Sequence, residues 1–147
     1  ALAPLVREGQ VRITEGALAV TVDINASVLF APGDARLDFG AVQALTAVAR
    51  ILAPTDFPVT VEGHTDNTPI ATPMFPSNWE LSGMRASAVV RLFIDQGVDP
   101  RRLTATGYAD QRPVDDNASP EGRSRNRRVA ITIESKAPDS PIEIKIP

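Results

Sequence analysis

The sequence contains no cysteine, only two lysines and few aromatic residues, and it has no long apolar run. Without cysteine the chain cannot form disulfides, thiolate metal sites or a thiol nucleophile, although this leaves its redox compartment open. No apolar stretch reaches the roughly 18 residues of a membrane-spanning helix, and no charged-then-apolar signal region opens the chain. Because the chain begins at Ala1 rather than at methionine, we expect a fragment or processed form whose targeting segment is missing.

What the sequence does contain is enough material for one compact domain. Its 147 residues are 43% hydrophobic and 22% charged, which supports one core with some linker but not two independent domains. The net charge of -3 excludes a global field that would attract nucleic acid or an anionic membrane surface. The basic residues are almost all arginine, the side chain suited to two-point recognition of a carboxylate. Any basic site must therefore be local.

Alternating and helical patterns predict a sheet with intervening helices. Alternation over residues 11–24 predicts a hairpin, and Asp38 is a candidate N-cap of a helix that stops at Pro54. Ser77 and Glu80 have capping-box spacing and open a second long helix. Helices placed between strands favour one sheet with the helices packed on one face. The remaining predicted elements are a short strand in residues 28–34, strands at 59–63, 103–108 and 129–133, a loop at 64–77 and a helix at 120–127.

One corner of the chain carries residues suited to binding a zwitterion. Asp66 lies just after a predicted strand, and three- or four-residue spacing on the second long helix gives one face made of Asn78, Leu81, Ser82 and Arg85. Arg85 can then reach the corner that carries Asp66. A guanidinium takes a carboxylate through two hydrogen bonds and a carboxylate takes an ammonium group, so together they match a free amino acid head group. Spacing alone leaves open, and favours, the alternative that Asp66 and Arg85 form a partly exposed structural ion pair.

Four stretches fall in an order that resembles the OmpA-like peptidoglycan-binding domain. They are residues 61–67 (VEGHTDN), 78–86 (NWELSGMRA), 102–108 (RLTATGY) and 122–129 (GRSRNRRV). Each stretch alone is weakly specific, whereas the ordered combination is specific, and the resemblance covers residues 28–134. It implies an α+β domain of the βαβαββ sandwich type, with a mixed sheet and helices packed on one face. It also implies that the domain binds the stem peptide of peptidoglycan and does not cleave it.

The resemblance implies roles for six residues at matching positions. Asp66 and Arg85 are expected to hold the amino acid head group of the diaminopimelate side chain, in agreement with the zwitterion argument. No catalytic residue, metal or cofactor is expected, and the domain is not expected to be an enzyme. The residues expected to line the same pocket are Thr65, Asn78, Leu81 and Arg127.

The long loop narrows the resemblance to one branch of the family. Residues 68–70 (TPI) and 75–82 (FPSNWELS) are similar to the periplasmic part of flagellar stator B subunits (MotB type) and unlike the shorter, glycine-containing loop of outer-membrane members. This similarity implies a domain that anchors a motor stator to the cell wall. The alternative is a general cell-wall tether of an outer-membrane protein or lipoprotein that uses the same pocket.

The stator resemblance also implies partners and a layout. Its members are periplasmic domains of inner-membrane proteins, form homodimers, and join a stator A-type membrane subunit through an amino-terminal membrane helix that has no counterpart in these 147 residues. The expected layout is a linker helix or hairpin at residues 1–27, the peptidoglycan-binding domain at 28–134 and a tail at 135–147.

Two other patterns suggest different functions. His64, the only histidine, is two residues from Asp66 and suggests a metal site, or a triad with Ser82, but the chain lacks a second histidine and a glycine-flanked serine elbow. The arginine-rich run at 123–128 suggests nucleic acid, but it has no interleaved aromatic residue and lies in an acidic chain. Neither a hydrolase nor a nucleic-acid partner is therefore expected.

Overall fold

The computed structural model describes residues 3–135 and shows a five-stranded mixed sheet with helices. The predicted tail at 135–147 lies outside the described residues from residue 136 onward. None of the described helices is long and apolar enough to cross a membrane. The elements in chain order are α1 (Ala3–Arg7), β1 (Val11–Glu15), β2 (Ala19–Asn25), α2 (Ala26–Leu29), α3 (Phe39–Leu52), β3 (Val59–His64), α4 (Asn78–Asp95), a 3₁₀ turn (Pro100–Arg102), β4 (Leu103–Gly107), α5 (Pro120–Asn126) and β5 (Arg128–Glu134).

The sheet has one apolar face, and the long helices cover it. Within residues 3–135 the strand order is β1-β2-β5-β3-β4, in which β3 and β4 are parallel and the other neighbours are antiparallel. The register places Val22, Ile131 and Val61 side by side across β2, β5 and β3. Alternate residues of a strand point to opposite faces, so this row faces the core that α3 and α4 complete with their buried side chains. The predicted α+β class and the mixed sheet with its helices are confirmed.

Both long helices begin where the sequence predicts. Asp38 caps α3 by accepting a hydrogen bond from the backbone N–H of Ala41 at 2.7 Å. Ser77 caps α4 by accepting from the backbone N–H of Trp79, and its hydroxyl donates to the carboxylate of Glu80. This hydroxyl bond lowers the pKa of Glu80. Because the cap of α4 also ends the long loop, it fixes which side chains the first turns of α4 present to that loop.

Residues 28–34 depart from the predicted short strand. The helical turn α2 replaces the start of that strand, and Phe30 then makes an isolated bridge with Leu37. Ala26, Leu29 and Phe30 are all buried, and spacing of three and four residues suits one face of a helical turn rather than an alternating strand. The strand prediction is therefore wrong, and the helical turn that replaces the strand forms part of the cavity wall described below.

The predicted hairpin is present as β1 and β2, and it packs with the rest of the sheet. β2 pairs with β5 over the whole length of both strands. Val11, Val22 and Ile24 of the hairpin are buried in the same core as α3 and α4. No break in packing separates the hairpin from the residues that follow it, and the boundary at residue 28 stays a prediction.

Candidate functional site

A cavity of about 740 Å³ lies beyond the end of β3. Three segments that are far apart in sequence supply most of its lining: α2 with the connection to α3, the loop after β3, and the amino-terminal half of α4. The residue directly after α5 completes it. All six residues for which the sequence predicts a binding role line this one cavity, namely Thr65, Asp66, Asn78, Leu81, Arg85 and Arg127.

Asp66 is a buried carboxylate with both oxygens engaged. It lies two residues after the end of β3 and is only 6% exposed. Its Oδ1 accepts a hydrogen bond from the backbone N–H of Thr68 at 2.9 Å, and its Oδ2 accepts one from Nη1 of Arg127 at 2.5 Å. The side chain of Arg127 is 45% exposed. The carboxylate is thus held in one orientation, and its charge is compensated by a cation that reaches in from the surface.

Arg85 is a buried cation that has no carboxylate partner among the described residues. It is 5% exposed, and its Nε and Nη2 donate to the backbone carbonyls of Asp34 and Ala31, at 2.8 and 3.3 Å. Its guanidinium also lies over the ring of Phe30, 4.9 Å from the centroid. Burial lowers the pKa of Arg85 to about 10, against the raising effect of the Asp34 charge. Arg85 therefore remains protonated at neutral pH and places a desolvated positive charge at the cavity.

The observed ion pair differs from the one that sequence spacing suggests. Asp66 bonds to Arg127, and Arg85 bonds to main-chain carbonyls, so the structural ion pair between Asp66 and Arg85 is not formed. Spacing could not show this, because Asp66 and Arg127 are 61 residues apart and lie on separate elements. An acid and a guanidinium still line one cavity without neutralising each other, which is the arrangement that zwitterion binding requires.

The loop after β3 is tied to the start of α4. Thr65 donates its hydroxyl to the carbonyl of Asp66 at 2.8 Å, and its backbone N–H donates to the carbonyl of Ala109 at 2.9 Å. Asn78, the first residue of α4, donates its side-chain amide to the carbonyl of Thr68 at 3.0 Å. These bonds hold the corner that carries Asp66 against α4. Thr65 and Asn78 thus position the site in addition to lining it.

Sequence reasoning missed most of the apolar lining. Apart from Leu81, the apolar wall comes from residues with no polar chemistry, which no motif marks. Two of them are prolines, whose fixed φ stiffens the segments that meet at the cavity. The missed residues include Ala26, Phe30, Ala31, Pro32, Pro69 and Ile70. A wall of this composition suits the aliphatic part of a ligand whose polar end reaches Asp66 and Arg85.

His64 and Ser82 bond to different partners and form no triad. His64 is buried, stacks on Tyr108 with ring centroids 5.3 Å apart, and shares a 3.2 Å hydrogen bond with Glu62 through Nε2. The fully buried Ser82 accepts a hydrogen bond from the backbone N–H of Ala109. Within residues 3–135 no three His, Cys, Asp or Glu side chains are grouped to hold a metal ion. Both side chains instead join β3 and α4 to the segment that follows β4.

Burial of His64 predicts a pH dependence of stability. Burial and the charge of Arg128 lower the pKa of His64, against the hydrogen bond with Glu62, which raises it. A histidine with a lowered pKa in the folded state binds fewer protons there than in the unfolded state. Its stabilising contribution is complete above the unfolded pKa of about 6.5 and is lost as the pH falls below that value. We therefore expect the free energy of unfolding to decrease between about pH 7.5 and pH 5.

Urea unfolding at both pH values measures this decrease, with His64→Gln as the control. Glutamine keeps a hydrogen-bonding side chain but does not titrate, so the decrease should be smaller in the variant. Carboxylates with a lowered pKa, such as Glu80 and Asp115, titrate at more acidic pH and are common to both proteins. An equal decrease in the two proteins would contradict the role of His64.

The arginines of the 123–128 run have separate partners. Arg125 forms an ion pair with a loop carboxylate, and Arg128 is buried on β5, where burial lowers its pKa. Arg127 pairs with Asp66 at the cavity. The run thus supplies one guanidinium to the candidate site, while its neighbours contact other parts of the fold.

Comparison with known proteins gives a family and a longer relative. The family model described as the OmpA family matches residues 29–127. Motility protein B of Bacillus subtilis (strain 168) is 35% identical over 128 residues, which cover 84% of this chain and 48% of that protein. The chain thus spans about half the length of curated relatives such as this one.

Two solved structures share the fold over most of both chains. The cell wall anchor of the T6SS from Pseudomonas aeruginosa is 39% identical, with a TM-score of 0.86 over 92% of this chain and 94% of that chain. The periplasmic domain of Helicobacter pylori MotB is 25% identical, with a TM-score of 0.79 over 86% of this chain and 83% of that chain. A cell wall anchor and a periplasmic motility domain therefore share this fold.

Proposed function

The chain belongs to the OmpA family, and from this premise we propose that it is a periplasmic peptidoglycan-binding domain of the MotB type, which holds the cell wall without cleaving it. The similarity to Motility protein B over most of the chain supports the motility assignment. The cavity beyond β3 is the proposed binding site, because it gathers the charged side chains that such a ligand needs.

One observation carries the proposal: the buried guanidinium of Arg85 has no carboxylate partner in a cavity that also holds the buried Asp66. A buried charge without a partner is costly, because it loses hydration without gaining an ion pair. A carboxylate that enters the cavity supplies the missing anion. Perturbed charged groups of this kind concentrate at sites where a ligand completes the arrangement.

The proposed ligand group is the free amino acid end of a diaminopimelate side chain, with a carboxylate and an ammonium group on one carbon. Two of the three guanidinium nitrogens of Arg85 donate to carbonyls, which leaves Nη1 and one N–H of Nη2 for the ligand carboxylate. The ammonium group binds Asp66. The aliphatic chain then lies along the apolar wall. Thr65, Asn78, Leu81 and Arg127 complete the lining.

We further propose that the chain acts as the wall-binding part of a flagellar stator B subunit. Such a subunit is an inner-membrane protein that works with a stator A-type membrane subunit. Torque generation requires a fixed scaffold, and two wall-binding domains in a homodimer hold that scaffold at two points. Residues 28–134 serve as the wall-binding domain, and residues 1–27 as the linker. The similarity to MotB-type domains does not favour the alternative of a general tether for an outer-membrane protein.

Co-sedimentation with insoluble diaminopimelate-type peptidoglycan tests the proposal. The wild-type chain is expected to pellet with the wall. Asp66→Asn is expected to lose at least about tenfold in affinity, because an amide cannot compensate an ammonium charge. Asp95→Asn removes the same charge from an exposed position at the far end of α4, and it should bind as the wild type does.

Three results would count against the proposal. Undiminished binding by a folded Asp66→Asn variant would show that Asp66 has a structural role only. Failure of the wild-type chain to bind the wall would refute peptidoglycan binding itself. Release of soluble muropeptides from purified wall would show that the domain is a hydrolase.

A further inference from the structure

The ion pair between Asp66 and Arg127 places a cation of the chain on the carboxylate that the proposed ligand uses. Oδ2 of Asp66 accepts from Arg127 at 2.5 Å, and Oδ1 accepts from the backbone of Thr68. Among the described residues, the side chain of Arg127 makes no other hydrogen bond, and it is 45% exposed. A ligand ammonium group must therefore share Asp66 with Arg127 or displace it into water.

The charges that line the cavity favour a ligand without net charge. Four charged side chains lie in the lining, and one of them, Asp38, is exposed and caps α3 with its carboxylate. The other three are Asp66, Arg85 and Arg127. The nearby carboxylate of Asp34 does not line this cavity and forms an ion pair outside it. One carboxylate thus faces two guanidinium groups, and a lone ammonium adds to this positive excess, whereas a zwitterion does not.

We infer that Arg127 makes the site select a zwitterionic head group over a lone ammonium group. The inference rests on the proposed function and adds a selectivity to it. A zwitterion takes Asp66 with its ammonium group and offers its own carboxylate to the guanidinium groups, so Arg85 and Arg127 both keep an anion. A lone ammonium group takes Asp66 but leaves Arg127 without an anion. The site then distinguishes a wall peptide with diaminopimelate from one with lysine at the same position, because the lysine side chain ends in an ammonium group alone.

Removal of the Arg127 side chain is expected to leave the fold intact. Its backbone N–H donates to the carbonyl of Arg123 and does not depend on the side chain. The guanidinium reaches Asp66 from an exposed position, and ion pairs with an exposed partner contribute little to stability. Asp66 also keeps its hydrogen bond from Thr68. A change in ligand preference can therefore be separated from a change in folding.

Calorimetric titration with two small probes tests the inference. The probes are meso-diaminopimelate and Nα-acetyl-lysinamide, which carries a side-chain ammonium group without a carboxylate. The wild-type chain is expected to prefer diaminopimelate by at least about tenfold. Arg127→Gln is expected to bind Nα-acetyl-lysinamide more tightly than the wild type does and to lose most of that preference.

Two matched variants complete the experiment. Arg127→Lys keeps a cation beside Asp66, so it should retain most of the preference. Arg125→Gln removes the same charge two residues away, where the arginine pairs with Asp115 outside the cavity, and it should behave as the wild type does.

The outcomes separate this inference from the proposed function. If Arg127→Gln weakens both probes equally, or leaves both unchanged, Arg127 does not set the preference and the inference is overturned, while wall binding by the wild type still supports the proposed function. If the wild-type chain binds neither probe and does not bind the wall, the proposed function fails and this inference fails with it.

Discussion

Arg85→Gln is expected to lower the affinity of the folded chain for diaminopimelate-type peptidoglycan by on the order of a hundredfold. Truncation of one partner in a buried, hydrogen-bonded charge pair typically costs about 2–5 kcal/mol, and Arg85 is the buried cation available to the ligand carboxylate. Glutamine retains part of the side-chain volume but offers neither the charge nor the forked donors. Co-sedimentation over a range of wall concentrations measures the change.

The stability of Arg85→Gln distinguishes a ligand-binding arginine from a structural one. The variant loses the hydrogen bonds to the carbonyls of Ala31 and Asp34, at about 1 kcal/mol each. It also removes a desolvated charge that has no carboxylate partner within residues 3–135, which offsets that loss. Ala31 is exposed, so water can reach its carbonyl. We therefore expect a large change in affinity with a small change in the free energy of unfolding.

Arg102 provides a matched control for Arg85. Its Nε and Nη2 also donate to backbone carbonyls, those of Phe57 and Leu52, at 2.9 and 3.0 Å. It precedes β4, whose start lies beside the start of β3, so Arg102 is at the opposite end of the parallel strands from the cavity. Arg102→Gln should lower stability and leave wall binding unchanged. If Arg85→Gln showed this same pattern, the ligand-binding role of Arg85 would be refuted.

Much of the site could be predicted because its polar residues lie close to element ends that the sequence marks. Asp66 follows an alternating strand, and Ser77 fixes the start of α4. A fixed start sets the helical phase, so three- and four-residue spacing is enough to place Asn78, Leu81 and Arg85 at one cavity. These placements depend only on local backbone geometry, which a single sequence contains.

The pairing inside the site could not be predicted, because it depends on long-range packing. Arg127 reaches Asp66 only because Asn126, the preceding residue, is fully buried and bonds to the backbone of Val114 and Asp115. No periodic pattern marks this amide network, since it joins the end of α5 to an irregular segment. Phe30 was misplaced for a related reason: burial in the tertiary structure selected a helical turn where the local sequence favours a strand.

Gly63→Ala is expected to lower the free energy of unfolding by at least about 3 kcal/mol, as measured by urea denaturation. A Cβ at Gly63 would lie 2.1 Å from the carbonyl oxygen of Ser82 and 2.8 Å from its carbonyl carbon. Both atoms belong to the backbone of α4, so no side-chain rotation can make room, and β3 or α4 must shift. A variant as stable as the wild type would contradict this close approach of strand and helix.

The same contact links the stability of the fold to the geometry of the site. Gly63 is three residues before Asp66, and Ser82 is three residues before Arg85, so a shift at the contact moves the two charged groups relative to each other. Folded Gly63→Ala should therefore also bind the wall more weakly. Gly83→Ala is the matched control, because its added Cβ meets no atom within 4 Å. Replacement of a helical glycine by alanine there should raise stability by about 0.5–1 kcal/mol and leave wall binding intact.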